Sequence, residues 1–217
     1  MLVDKNKVPV EGQMKYSSRV SFLGNANAKK RILVVGNSIT KHGPNKEIGW
    51  EGDWGMAASA AEKDFVHRLY AMLTDAGEDV FMRISQCSAW ERALFQDDIL
   101  LTYEEDRSFE ADIVVFRLGE NVRPEDRAYF KEPLRKFIEY ICPTGKTLFT
   151  TCFWDNPVVN EAIEAVAKER GEQCIDIGFY KDEKNMAFGK FENESVATHP
   201  SDEGMEAIAK AIFKALI

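Results

Sequence analysis

Short runs of β-branched and aromatic residues alternate along this chain with longer segments that carry apolar residues three and four positions apart. A short apolar run bounded by turn residues is typical of a buried strand, and the wider spacing predicts a helix with one apolar face. Because the two patterns alternate, the chain is predicted to form a three-layer α/β/α fold, with helices on both sides of a parallel sheet. The sheet is predicted to have five strands, at 31–35, 80–84, 113–118, 147–153 and 173–177.

The length and composition fit one domain. The chain has 217 residues, of which 45% are hydrophobic and 29% are charged, and these are ordinary values for a globular domain. The α/β pattern occupies residues 31–217, and its last helix is predicted to begin after Pro200 with Ser201 as the N-cap. Residues 1–30 are polar and irregular apart from a short apolar patch at 20–23. They are predicted to be an N-terminal arm that packs on this domain.

The charge of the chain limits its partners. The net charge of −8 argues against binding to nucleic acid or to an anionic membrane, because both require basic patches. No apolar run approaches the roughly 20 residues that span a bilayer, and the first residues lack the apolar core of a signal peptide. The four cysteines have no metal-like spacing, so no metal or other cofactor is predicted. We therefore expect a cytoplasmic protein that acts on a small molecule, and leave open a signal peptide that has been removed.

A serine and a histidine stand where the predicted fold can bring them together. The first apolar run stops at Gly36 and delivers Ser38 into a turn at the carboxyl end of a strand, where open α/β folds place their sites. His199 lies just before the last helix, and imidazole is the side chain that titrates nearest to physiological pH. Ser38 and His199 are therefore a candidate nucleophile and base. Of the other histidines, His67 is predicted inside the first helix, and His42, in the long loop after the first strand, is expected to contact substrate.

Three short blocks around these residues resemble those of the SGNH/GDSL esterase and lipase superfamily. Residues 36–39, Gly-Asn-Ser-Ile, resemble the family's first block, with Asn37 in place of the usual aspartate. Residues 119–122, Gly-Glu-Asn-Val, match the glycine and asparagine of the family's Gly-x-Asn-Asp block. Residues 196–199, Val-Ala-Thr-His, match the histidine of the Asp-x-x-His block, but valine replaces its aspartate. In their order along the chain, the blocks and the elements between them extend the resemblance over residues 31–217.

The resemblance implies a flavodoxin-like SGNH hydrolase fold and a serine esterase activity, in which Ser38 attacks the ester and His199 takes its proton. It also implies an oxyanion hole made of the backbone N–H groups of Ser38 and Ala89 and the side-chain amide of Asn121. Ala89 or Cys87 stands about where the family has a glycine. An alanine at this position keeps the backbone donor and adds only a methyl group.

The sequence leaves the third member of the triad open. Val196 cannot orient an imidazole, so another group must replace the carboxylate. Glu194, two residues earlier, could reach back to His199. Asp155 or Glu120 could arrive from across the site, or a backbone carbonyl or a water molecule could suffice and leave a Ser-His pair. Glu120 could instead shape the substrate pocket.

Four tryptophans are predicted to form a wall over Ser38. Trp50 and Trp54 lie in the glycine-rich loop after the first strand, and Trp90 and Trp154 follow other predicted strands. Flat aromatic side chains stack on sugar rings and bury acyl groups. An O-acetyl ester of a carbohydrate is therefore the first substrate expected.

Two other functions compete with a serine esterase for small O-acyl esters. A non-catalytic protein on the same fold, which binds a carbohydrate or another small ligand, would explain the missing aspartate of the last block. A nucleotide- or phosphate-binding protein of the flavodoxin type is disfavoured, because residues 36–42 have neither the G-x-G-x-x-G nor the G-x-x-x-x-G-K-[ST] spacing.

Overall fold

A computed structural model describes residues 19–96 and 98–217 of the chain. These residues form a six-stranded sheet. The strands are β1 Val20–Gly24, β2 Lys30–Gly36, β3 Val80–Gln86, β4 Ile113–Arg117, β5 Lys146–Thr150 and β6 Gln173–Ile175. They lie in the order β1-β3-β2-β4-β5-β6. Strands β2 to β6 are parallel and helices cover both faces, so the predicted α/β/α fold with a parallel sheet is confirmed.

The sheet has one strand more than the sequence predicts. β1 comes from the segment predicted as an arm, and it pairs antiparallel with β3 at the edge of the sheet, with Val20 opposite Ser85 and Gly24 opposite Phe81. A strand of five residues, none of which is fully buried, has too weak an apolar pattern to be recognised from sequence. Residues 1–18 of the predicted arm lie outside the described residues.

Alternate residues of β2 supply two separate cores. Ile32 and Val34 pack with the helices Phe65–Asp75 and Asp202–Leu216 on one face. Leu33 and Val35 pack with the helices Lys131–Ile141 and Pro157–Arg170 on the other. Burial on both faces explains why this strand reads as a continuous apolar run. The helices are α1 Phe65–Asp75, α2 Ser88–Arg92, α3 Glu104–Arg107, α4 Lys131–Ile141, α5 Pro157–Arg170, α6 Glu194–Ala197 and α7 Asp202–Leu216. In the part of the chain that the structure describes, no helix has the length and apolarity needed to cross a membrane.

The turn after β2 depends on a glycine. A Cβ atom on Gly36 would lie 1.8 Å from Oγ1 of Thr40, a distance that no side chain can occupy. The backbone N–H groups of Thr40 and Lys41 both donate to the carbonyl of Asn37 and close the turn. Ser38 is thereby held at the carboxyl end of the strand.

The start of α7 holds the segment that carries His199. Ser201 caps the helix as predicted, because its Oγ accepts a hydrogen bond from the N–H of Gly204 at 3.2 Å. The carbonyl of His199 accepts a hydrogen bond from the N–H of Ala187 at 2.9 Å. The backbone on both sides of the histidine ring is therefore fixed.

Candidate active site

Ser38 and His199 meet at the carboxyl edge of the sheet. The Oγ atom of Ser38 lies 2.8 Å from Nε2 of His199, although the two residues are 161 positions apart in the chain. Ser38 is half-buried and His199 is buried. The distance is within the range in which a base can take a proton from a hydroxyl.

The other ring nitrogen of His199 contacts a backbone carbonyl. Its Nδ1 lies 2.7 Å from the carbonyl oxygen of Ser195. A carbonyl can only accept, so Nδ1 carries the hydrogen and Nε2 presents its lone pair to the hydroxyl of Ser38. Of the orienting groups left open by the sequence, the structure therefore places a backbone carbonyl beside the ring.

The carboxylates considered for that position lie elsewhere. Glu194 begins α6 and is exposed, and none of its side-chain atoms hydrogen-bonds to a described residue, so the structure does not support it as the orienting acid. Asp155 is also exposed. Val196 is fully buried in an apolar cluster with Trp50 and Met56, which explains how valine is accommodated at this position.

Burial sets the protonation of His199. It lowers the pKa of the imidazole to about 4, and the positive charge of Arg117 acts in the same direction. The hydrogen bond to Ser195 and the negative charge of Glu120 oppose this shift without cancelling it. The ring is therefore neutral at physiological pH, as a base must be.

Asn121 is held at both ends of its side-chain amide. Its Nδ2 donates to Oε2 of Glu91 at 2.8 Å, and its Oδ1 accepts from Nη2 of Arg92 at 2.7 Å. An amide nitrogen carries two hydrogens, so one remains for a further acceptor. The backbone N–H of Ser38 donates to no residue in the ranges that the structure describes.

The second backbone donor of the predicted oxyanion hole is not assigned by the geometry. Ala89 lies in α2 directly after β3 and is buried, as the resemblance implies. Ser88, one residue earlier, lines the cavity in front of Ser38, whereas Ala89 does not. The N–H of Ser88 lies 3.3 Å from Oε1 of Gln86. The role of Ala89 stays a prediction.

A buried polar network lies directly behind the nucleophile. Arg117 forms a two-point contact with Glu120, at 2.8 Å from each carboxylate oxygen, and also donates to Oδ1 of Asn37. The Nδ2 of Asn37 donates to Glu120 at 2.6 Å and to Glu91 at 3.2 Å. An aspartate in place of Asn37 could not donate and would add a third carboxylate, so the asparagine fits this network.

Glu91 and Arg117 were not identified from the sequence. Glu91 is fully buried, and its Oε1 also accepts from the N–H of Gly119 at 2.6 Å. Burial, followed by the charge of Glu120, raises the pKa of Glu91. The signal in the sequence was Arg117 at the end of the apolar run of β4, because a buried arginine requires a partner of opposite charge. Glu120, predicted as a substrate contact, belongs to this network and does not line the cavity.

A cavity of about 200 Å³ opens in front of Ser38. His42 lines it, at the place where a substrate contact was predicted, and its Nδ1 lies 2.6 Å from the carbonyl of Gly43. Burial lowers the pKa of His42. The lining residues are Ser38, His42, Ile48, Met56, Gln86, Ser88, Arg92, Asn121, Ser195 and His199.

The four tryptophans do not form one wall. Trp90 is in the core, stacked on Phe137 with ring centroids 4.2 Å apart, so its predicted role in substrate binding is wrong. Trp154 contacts the ring of His199 edge-on, with centroids 5.2 Å apart. Trp50 and Trp54 pack against each other and line a second groove, beside the cavity of Ser38 rather than over it.

The described residues include no group of three or more His, Cys, Asp or Glu side chains placed to hold a metal ion. The cavity of Ser38 has reactive groups of its own. These are a hydroxyl beside a neutral imidazole, with amide and backbone N–H donors close by. This combination is suited to acyl transfer.

No family model and no curated protein matches the chain. Several solved structures do match the chain. An α/β hydrolase, LAE5, from the metagenome of Lake Arreo in Spain is 20% identical, with a TM-score of 0.59 over 87% of this chain and 95% of its own. Axe2, an acetylxylan esterase from Geobacillus stearothermophilus, is 16% identical, with a TM-score of 0.60 over 87% of this chain and 94% of its own.

Axe2 has also been solved as catalytic mutants in which a serine, a histidine or an aspartate is replaced by alanine. Its aspartate lies three residues before the histidine, which is the position of Val196 relative to His199 in this chain. These TM-scores show a common fold, but at such low identity they do not show a common activity. The chain therefore shares its fold with LAE5 and Axe2, in agreement with the α/β/α fold that its sequence predicts.

Proposed function

We propose that this protein is a serine esterase that hydrolyses small O-acyl esters. The observation that carries the proposal is the 2.8 Å contact between Ser38 Oγ and His199 Nε2, with the opposite ring nitrogen held by Ser195. His199 takes the proton of Ser38 as Oγ attacks the ester carbonyl, and it returns that proton to the departing alcohol. Water, activated by the same imidazole, then hydrolyses the acyl-enzyme and regenerates Ser38.

The tetrahedral intermediate needs donors for its negative oxygen. The free hydrogen on Nδ2 of Asn121 and the N–H of Ser38 are the donors that the geometry favours, and the N–H of Ala89 is the third donor that the resemblance implies. Each such donor is typically worth a factor of about 10² to 10³ in rate.

A carbonyl in place of the aspartate is compatible with this mechanism. The third group of a triad fixes the tautomer and orientation of the imidazole and stabilises its charged form. Ser195 fixes the tautomer through a 2.7 Å hydrogen bond but has no full negative charge. We therefore expect a working Ser-His pair that turns over more slowly than a complete triad.

An O-acetyl ester of a carbohydrate is the substrate we propose. The cavity of about 200 Å³ suits a small acyl group. Ile48 lines both this cavity and a surface groove that extends to Phe191. The ring of Phe191 packs on that of Trp50, with ring centroids 6.0 Å apart. An aromatic surface beside the cavity suits a sugar ring as the alcohol half of the ester. The structural neighbour Axe2 is named an acetylxylan esterase.

Hydrolysis of p-nitrophenyl acetate and of acetylated xylose by wild type and Ser38→Ala tests the proposal. The expected result is activity on both esters that Ser38→Ala abolishes. The matched control is Ser108→Ala, which removes the same atom from an exposed serine and should leave activity unchanged.

The competing hypothesis, a non-catalytic binding protein, predicts a different result. Folded wild type would hydrolyse neither ester, and wild type and Ser38→Ala would bind acetylated xylose equally in calorimetry. The buried valine at position 196 is the observation that motivates this second arm.

A further inference from the structure

The cavity in front of Ser38 has one formally charged side chain at neutral pH. Of the ten described residues that line it, Arg92 is a cation and the only other ionisable side chains are those of His42 and His199. Burial lowers the pKa of both histidines, so both are neutral. Arg92 therefore places a positive charge in the lining of the cavity, although the chain as a whole has a net charge of −8.

The other charged groups near the cavity lie behind it and do not form part of its described lining. Glu91 and Arg117 are fully buried, and neither lines the cavity. Glu120 is paired with Arg117 in a two-point contact. Lys41 is paired with Asp53 at 2.6 Å. Arg92, in contrast, is exposed and lies against the open space.

Arg92 has unused donors. A guanidinium carries five N–H donors, and Arg92 uses one nitrogen, Nη2, for Oδ1 of Asn121 at 2.7 Å. Its other nitrogens donate to no residue in the described parts of the chain. The contact with Asn121 keeps the guanidinium beside the group that we propose to hold the oxyanion, and Arg92 lines the cavity in which the ester would bind.

We infer that Arg92 makes this site selective for esters that carry a carboxylate, such as acylated acidic sugars; the inference rests on the proposed esterase function. The fork of donors on arginine matches the two oxygens of a carboxylate. For an exposed guanidinium, which solvent screens, such a contact corresponds to a preference of about threefold to fivefold over a neutral ester.

The test compares 4-acetoxybenzoate with 4-acetoxybenzamide, two acetyl esters of similar size that differ in charge. The kcat/KM of each is divided by its rate of imidazole-catalysed hydrolysis, which removes the difference in leaving group. Wild type should prefer the anion by about threefold or more, and Arg92→Gln should abolish the preference. Arg92→Lys, which keeps the charge without the fork, should retain part of it. Lys214→Gln is the matched control, because it removes one positive charge from an exposed residue that lines neither the cavity nor the groove and should leave the preference intact.

Two kinetic results would overturn the inference. One is a wild type that hydrolyses both esters equally well. The other is an Arg92→Gln variant that loses the same factor on both esters, which would make Arg92 only a positioning residue for Asn121. If wild type hydrolyses neither ester, the esterase proposal fails, and binding of 4-hydroxybenzoate and 4-hydroxybenzamide by calorimetry replaces the kinetics. If wild type binds 4-hydroxybenzoate and Arg92→Gln abolishes this binding, an anion site is still supported. If wild type does not bind 4-hydroxybenzoate, the anion site is rejected.

Discussion

The Nδ1 atom of His199 lies 2.7 Å from the carbonyl oxygen of Ser195, a residue of the same short segment. The segment itself orients the imidazole, because α6 turns the carbonyl of Ser195 toward a ring four residues later. A distant carboxylate is therefore not needed to select the tautomer that faces Ser38. What the carbonyl does not supply is a full negative charge.

The low pKa of His199 predicts the pH profile of hydrolysis. The imidazole must be neutral to accept the proton of Ser38, and its pKa is lowered from 6.5 to about 4. We expect kcat/KM to rise with pH around 4 and to be level through neutrality. A profile with its inflection near 6.5 would contradict this expectation.

The same shift predicts the pH dependence of stability. Between pH 6.5 and about 4 the histidine of the unfolded chain binds a proton that the folded chain does not. Its contribution to stability is therefore present above pH 6.5 and is lost as the pH falls toward 4. Urea unfolding at several pH values should show this loss, and His199→Gln should make it smaller.

Glu194→Gln should leave activity within about twofold of wild type, because an exposed side chain away from the reacting groups contributes little. A measurement of kcat and KM over the pH range of activity checks this result. Glu183→Gln, at an exposed glutamate that lines neither the cavity nor the groove, is the matched control. A large fall in kcat confined to Glu194→Gln would show that its carboxylate reaches the imidazole during turnover.

Asn121→Ala should lower kcat by a factor of about 10² to 10³ and change KM much less, because an oxyanion donor acts on the transition state. The substitution also leaves the buried Oε2 of Glu91 without its 2.8 Å partner, so the thermal midpoint should fall as well. Kinetics at a temperature where the variant is fully folded separate the two effects. A change confined to KM would contradict the oxyanion role.

Asn37→Asp should destabilise the protein, although it restores the residue that the resembling family has in this block. The new carboxylate would lie beside Glu91 and Glu120 and could not donate to either. We expect a cost of about 3 kcal/mol or more in the free energy of unfolding, the usual effect of an uncompensated buried charge.

A second substitution makes the Asn37→Asp prediction specific. Glu91→Gln removes one neighbouring charge, so the double variant Asn37→Asp/Glu91→Gln should lose less stability than the sum of the single variants. Chemical unfolding of the four proteins measures this coupling. Additive losses would show that charge repulsion is not the cause.

Much of the fold was predictable because it depends on interactions between near neighbours in the chain. The apolar run of β2 indicates a strand that is buried on both faces, and Ser201 caps its own helix. The close approach of Thr40 to Gly36 is also local. β1 was missed because its five residues have no fully buried side chain, and its place depends on pairing with β3.

The sequence alone determined the α/β architecture and the presence of a serine and a histidine at the ends of its elements, because periodicity and turn chemistry are local. Only the tertiary structure decided which groups touch them. It placed the carbonyl of Ser195 rather than Glu194 at the imidazole, and it put Trp90 into the core. It also assembled Glu91, Arg117 and Glu120 behind the nucleophile. The physical reason is that these contacts depend on how helices and loops pack over the sheet, and residue spacing along the chain does not encode that packing.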